Sequence, residues 1–130
     1  LDTVVGDQAE LNPLGHREPH IYGTATLDDY VAKTTAAAGA FGVVVEALQS
    51  NHEGELIDSI HGARSRAAAI IINPGAFTHY AWGIHDALAA FSGPIIEVHV
   101  TNIHRREEMY HRSYVSKVAT AVIAGLGPGG

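Results

Sequence analysis

Three features of the chain predict an α/β protein with a flavodoxin-like, doubly wound, five-stranded parallel sheet. Apolar runs alternate with amphipathic stretches along the 130 residues, and that alternation generates βαβ units and a parallel sheet. The run Ala67–Ile72 (A-A-A-I-I-I) is continuous, as in a strand buried on both faces in the middle of such a sheet. Asn73-Pro74-Gly75 stops it, and polar residues gather just beyond, at the carboxyl rim where open α/β sheets bind ligands. With 46% hydrophobic and 17% charged residues, a single domain over residues 1–130 with one core is expected.

In chain order, residues 1–5 are a short apolar opening that fits a first strand. Residues 6–23 are Gly/Pro/Asn-punctuated and hold Arg17, His20 and Tyr22; a loop this long inside a small domain predicts a lid or binding loop. Thr26 offers a cap and Asp28 and Asp29 first-turn acids for a helix to about Gly39. A second strand is expected at 42–48. Ser50-Asn51-His52-Glu53 has the form of a capping box, with Leu56, Ile57 and Ile60 marking a helix that ends near Gly62. After the central strand, residues 78–91 carry Ala81, Trp82, Ile84, His85 and Leu88 at helical spacing, closed by Gly93-Pro94. Residues 95–100 read as a fourth strand. Asn102 caps a short charged turn, and residues 120–126 form a fifth strand. The most economical order places the first and third strands side by side at the switch point, with the 6–23 loop next to Asn73.

A formal net charge of -6 opposes a phosphate backbone, so nucleic acid is not expected as a partner. The chain has no cysteine, which excludes disulfides and thiolate metal sites. No apolar run approaches the length of a membrane span, and no secretory signal is visible at Leu1, so no membrane partner and a cytoplasmic location are the expectations. The nine histidines lack an H-E-x-x-H spacing, and no metal is expected.

Glu97 and His99, two apart in an apolar strand, project from one face. Either the carboxylate fixes and charges the imidazole as a general acid, or the two satisfy each other as a polar pair in the core. His79, beyond the central strand, is placed to contact a ligand or to cap its own helix. Asn73 can bind a ligand or close an Asx turn. Tyr22 can act as a base only beside a cation that lowers its pKa from about 10. Arg17 is the candidate cation; otherwise both are surface residues. His52 and His61 fall on the second helix, and His16, His20, His104 and His111 lie in polar surroundings, so solvation or a subunit contact is expected for each.

These signals coincide in four segments: L-G-H-R-E-P-H-I-Y-G, Q-S-N-H-E-G-E-L-I-D, I-I-I-N-P-G-A-F-T-H and I-I-E-V-H-V-T-N-I-H-R-R-E-E. In this order and spacing the chain, from about Leu14 to Gly127, resembles the type II 3-dehydroquinate dehydratase family. The resemblance implies a flavodoxin-like fold, a homododecamer built from trimers and no cofactor. It also implies anti elimination of water from 3-dehydroquinate, through an enolate, to 3-dehydroshikimate in shikimate or quinate metabolism. By position, Tyr22 would be the base and Arg17 would stabilise its phenolate. His99 would protonate the departing hydroxyl and Glu97 would orient it. Asn73, His79, Val100 and Thr101 would hold the substrate, and Asp86 would reach a neighbouring subunit's site. Lowering a tyrosine by roughly three units requires on the order of 4 kcal/mol of preferential phenolate stabilisation, within reach of a desolvated arginine.

Two positions depart from the family. Its G-P-N-L-N loop reads G-D-Q-A-E-L-N here, and ungapped counting puts Glu10 where an asparagine positions a water against the enolate; the two-residue insertion leaves Gln8 as the alternative occupant. An anion about 4 Å from the enolate, at an effective dielectric of about 20, opposes it by roughly 4 kcal/mol, close to a thousandfold in rate. The family's F-R-H-H-S reads M-Y-H-R-S, so Tyr110 stands where an arginine binds a substrate hydroxyl. A lost charged hydrogen bond is worth about 1.5 to 3 kcal/mol. The same departures support a second expectation, a divergent paralogue that binds a related polyhydroxy acid with little or no turnover.

Overall fold

The computed structural model describes residues 2–7 and 25–130. The chain forms β1 (Asp2–Asp7), α1 (Leu27–Gly39), β2 (Val44–Gln49), α2 (Glu53–Ala63), β3 (Ala67–Ile72), α3 (Trp82–Ala89), β4 (Ile95–His99) and β5 (Ala121–Ala124). Short 3-10 turns lie at Gly75–His79, Ile103–Arg105, Glu108–Tyr110, Val115–Lys117 and Gly127–Gly129. The strands pair in parallel in the order β2-β1-β3-β4-β5, so β1 and β3 are neighbours where the winding reverses, the usual ligand crevice of such sheets.

The register fixes what meets at the carboxyl rim. Gly6 lies opposite both Leu48 and Ile72, Ile72 opposite Glu97, and Glu97 opposite Val122. One row across the sheet therefore runs Leu48, Gly6, Ile72, Glu97 and Val122, and Asp7 and Asn73 follow Gly6 and Ile72 in the chain. The expected position of the 6–23 loop beside Asn73 falls on residues 8–24, which lie outside the described residues.

Burial is unequal on the two faces. On one side Leu56, Ile60 and Ala63 of α2 and Ile84, Ala87 and Leu88 of α3 cover Ile70, Ile72 and Ile95, the alternate residues of their strands. On the other, α1 buries no residue fully, and a cavity of about 480 Å³ lies between it and Ile71, Ile96, Val98 and Ile123. The expectation that the central strand is buried on both faces therefore fails. Ile70 and Ile72 are sealed, whereas Ile71 is half-buried against the cavity.

Four other expectations are corrected. The first strand extends to Asp7 because Gly6 and Asp7 still pair with β2, which removes both from the loop expected at 6–23. Ser50 does not cap α2. His52 occupies that position without a side-chain cap bond, while the Ser50 hydroxyl accepts from His52 N at 3.0 Å and donates to Glu55. The helix expected over 78–91 is split. Phe77 and Thr78 are buried by the 3-10 turn, Tyr80 leaves helical geometry at φ -148°, and α3 restarts at Trp82 with Ile84 and Leu88 inward. The last two strands are also shorter than the segments expected at 95–100 and 120–126. At Thr26 the reading is met: its hydroxyl accepts from Asp29 N at 3.3 Å, and the Asp29 carboxylate accepts from Thr26 N at 2.8 Å, a reciprocal cap.

Candidate active site

β4 alternates buried and half-buried residues, and Ile95, Glu97 and His99 face the α2 and α3 side. Glu97 has no exposed surface and His99 5%. The His99 Nε2–H donates to Glu97 Oε1 at 2.7 Å, which leaves Nδ1 as the ring nitrogen free of the carboxylate. Three hydroxyls complete the shell of Glu97. Thr78 Oγ1 lies 2.9 Å and Ser113 Oγ 2.8 Å from Oε1, and Ser116 donates to Oε2. Burial by itself would push the Glu97 carboxyl up. The hydrogen bonds from His99, Ser116 and Ser113, with the charge of His99, outweigh it and hold the group below its ordinary value of 4.5.

The turn after β3 delivers His79. Its Nδ1–H donates to the Arg112 carbonyl at 2.6 Å, so Nε2 is the nitrogen left for other partners, and its ring meets Tyr110 edge-on at 5.3 Å between centroids. Helix capping is not its role, because it ends a 3-10 turn rather than starting α3. Behind Tyr110 the Arg106 guanidinium sits 4.1 Å from the ring centroid, a cation–π contact. Asn73 Oδ1 accepts from Gly75 N at 3.2 Å, closing the Asx turn that stops β3. Val100 and Thr101 follow β4 directly, and the Val100 carbonyl accepts from Gly127 N at 3.0 Å. Asp86 lies apart on α3, where its exposed carboxylate pairs with His85 Nδ1 at 3.0 Å.

The structure therefore brings Glu97 with His99, and His79 with Tyr110, onto elements that meet at the rim, and leaves Asp86 outside that cluster. Arg17, Tyr22 and Glu10 lie outside the described residues. Thr78, Ser113 and Ser116 were missed by sequence reasoning. A carboxylate in a buried strand demands donors, and S-x-x-S at 113 and 116 puts two hydroxyls on one side of a turn, but nothing in the order of residues places that turn against β4. Among the described residues no group of three His, Asp or Glu side chains is arranged to hold a metal ion, and no helix is long and apolar enough to cross a membrane.

Comparison with known proteins identifies the family. The family described as "Dehydroquinase class II" matches residues 3–130. "Catabolic 3-dehydroquinase 2" of Aspergillus flavus is 56% identical over 117 residues, covering 90% of this chain and 78% of that protein. "3-dehydroquinate dehydratase" of Corynebacterium glutamicum is 55% identical over 117 residues, covering 90% of this chain and 81% of that protein. The crystal structure of type II dehydroquinase from Propionibacterium acnes superposes with a TM-score of 0.92 at 42% identity, covering 98% of this chain and 88% of that one. The α/β fold with its parallel sheet is thus that of the type II dehydroquinases, and the chain belongs to the class II dehydroquinase family.

Proposed function

We propose that the protein is a hydro-lyase that converts 3-dehydroquinate to 3-dehydroshikimate by anti elimination of water, as the names of its relatives suggest. The observation that carries the reading is the sealed Glu97–His99 pair at the end of β4, with the imidazole Nδ1 turned away from the carboxylate. An imidazole held this way is oriented to act as a general acid towards a departing hydroxyl.

In the reaction, the Tyr22 phenolate removes a proton from the carbon next to the ketone and the electron pair moves into an enolate. The enolate collapses to the enone as the carbon–oxygen bond breaks, and His99 supplies the proton that turns the leaving hydroxyl into water. Arg17 stabilises the phenolate and Glu97 orients His99. Asn73, His79, Val100, Thr101 and Tyr110 hold the carboxylate and hydroxyls of the substrate, and no cofactor takes part. The scaffold is one flavodoxin-like, five-stranded domain, supported by the strand order 2-1-3-4-5, and the segment after β1 serves as its lid. The assembly is a cytoplasmic homododecamer of trimers in which Asp86 serves a neighbouring subunit's site; its exposure on α3 suits that role.

Ultraviolet absorbance tests the activity. A rise from the conjugated enone on adding 3-dehydroquinate is expected, and none at high enzyme concentration would refute it. A second reading, a binding paralogue with little turnover, draws on Tyr110, whose ring lies between His79 and Arg106 and brings no charge of its own. Calorimetry that shows a quinate-like acid bound without conversion would favour it, as would activity gained on Tyr110→Arg.

A further inference from the structure

The buried carboxylate of Glu97 has more donors around it than a partner for one imidazole needs. Thr78 is fully buried and Glu97 has no exposed surface, and Thr78 Oγ1 also lies 2.5 Å from Ser113 Oγ. The hydroxyls are held by backbone. Tyr114 N donates to the Thr78 carbonyl at 2.7 Å, Ser116 N donates to Ser113 Oγ at 3.0 Å, and Val115 between them is sealed in the core. The segment from Arg112 to Ser116 thus grips the His79 turn and β4 together.

We propose that Thr78, Ser113 and Ser116 are positioning residues that keep Glu97 an anion and thereby decide whether His99 meets the substrate as an imidazolium. The inference rests on the dehydratase reading of the site. In a dry pocket, a carboxylate bonded only to an imidazolium gains by taking its proton, because two neutral groups cost less to bury than two charges. His99 would then be a neutral imidazole and a poor acid. Hydroxyl donors favour the ionised carboxylate, so they hold the proton on His99.

Among the described residues, three titratable groups on neighbouring elements are engaged elsewhere. His79 is bonded to the Arg112 carbonyl, Lys117 lies over the Tyr114 ring, and His85 pairs with Asp86. Arg112 itself is exposed, and the flanking strands β3 (A-A-A-I-I-I) and β5 (A-V-I-A) carry no ionisable side chain.

The test compares the intact protein with Ser113→Ala, Ser116→Ala, Thr78→Val and Thr78→Ser. The imidazolium fraction of His99 at neutral pH is read by NMR of 13C-histidine, assigned by its loss in His99→Gln, and kcat is followed in parallel. Removing one hydroxyl is expected to move the balance between the ion pair and the neutral pair about tenfold towards the neutral pair, lowering the imidazolium fraction and with it kcat at neutral pH by up to about tenfold, with KM little changed. Thr78→Ser should restore wild-type behaviour. An imidazolium fraction unmoved in both serine variants, or a Thr78→Ser variant that behaves like Thr78→Val, would overturn the proposal. The NMR measurement needs no turnover. A lowered imidazolium fraction in variants of a protein that fails to convert 3-dehydroquinate would sink the dehydratase reading alone, and a working enzyme whose imidazolium fraction does not move would sink this inference alone.

Discussion

Glu97 shows what one side chain in an apolar strand must do to stay charged. Its carboxyl sits below the ordinary 4.5 because, although burial raises it, the donors from His99, Ser116 and Ser113 lower it further. The sign for stability follows. A carboxyl depressed on folding contributes its full stabilisation above the unfolded value near 4.5 and loses it as pH falls through the lower folded value. Glu97→Gln should therefore flatten the fall of stability below about pH 4.5, measured by urea unfolding at a series of pH values; an unchanged slope would assign the acid sensitivity to other groups. For activity, His99→Gln removes the proton donor and should lower kcat by roughly 100- to 10,000-fold, read by the enone assay. The pair was legible because alternate residues of a strand share a face. The hydroxyl shell was not, because Thr78 is 19 positions from Glu97 and Ser113 is 16, and such contacts are set by how the elements pack.

β3 emerges at Ala67–Ile72, as its composition alone indicates, because a run of β-branched residues ended by Asn-Pro-Gly leaves little choice of boundary. The turn after it was not legible. Helical spacing from Thr78 onward concealed that Phe77 and Thr78 must both be buried before α3 can start. The approach to β4 is similarly constrained by Gly93, where a Cβ would lie 2.3 Å from the Ala68 carbonyl oxygen and 2.7 Å from the Phe91 ring. The backbone oxygen cannot step aside, so Gly93→Ala should cost about 1–3 kcal/mol, measured by chemical denaturation. A variant as stable as wild type would show that the β3 edge is softer than this packing implies. Opposite, Ile84 of α3 is fully buried, and Ile84→Ala should cost about 2–5 kcal/mol by the same measurement.

Over the whole chain, the α/β alternation and the parallel sheet followed from periodicity, whereas the unequal faces did not. Sequence cannot tell a helix that seals a sheet from one that stands off it, and α1 leaves its cavity over Ile71, Ile96 and Val98 while α2 and α3 close the opposite side. The Glu97–His99 pair belongs to that closed side, where a dry setting strengthens each bond to Glu97, while Asn73 and Val100 line the cavity under α1. The proposed dodecamer predicts a species about twelve times the 13.7 kDa chain in light scattering; a monomer alone would leave the exposed Asp86 without its assigned role. Everything in the mechanism converges on one requirement, that a phenol from the loop after β1 and the imidazole ending β4 address the same ring. A crystal structure with a bound enolate analogue examines this. The expected result is Tyr22 Oη and His99 Nδ1 on opposite faces of one six-membered ring, each within hydrogen-bonding reach of it, and a ligand seated away from His99, or a Tyr22 that cannot approach it with the loop closed, would contradict the mechanism.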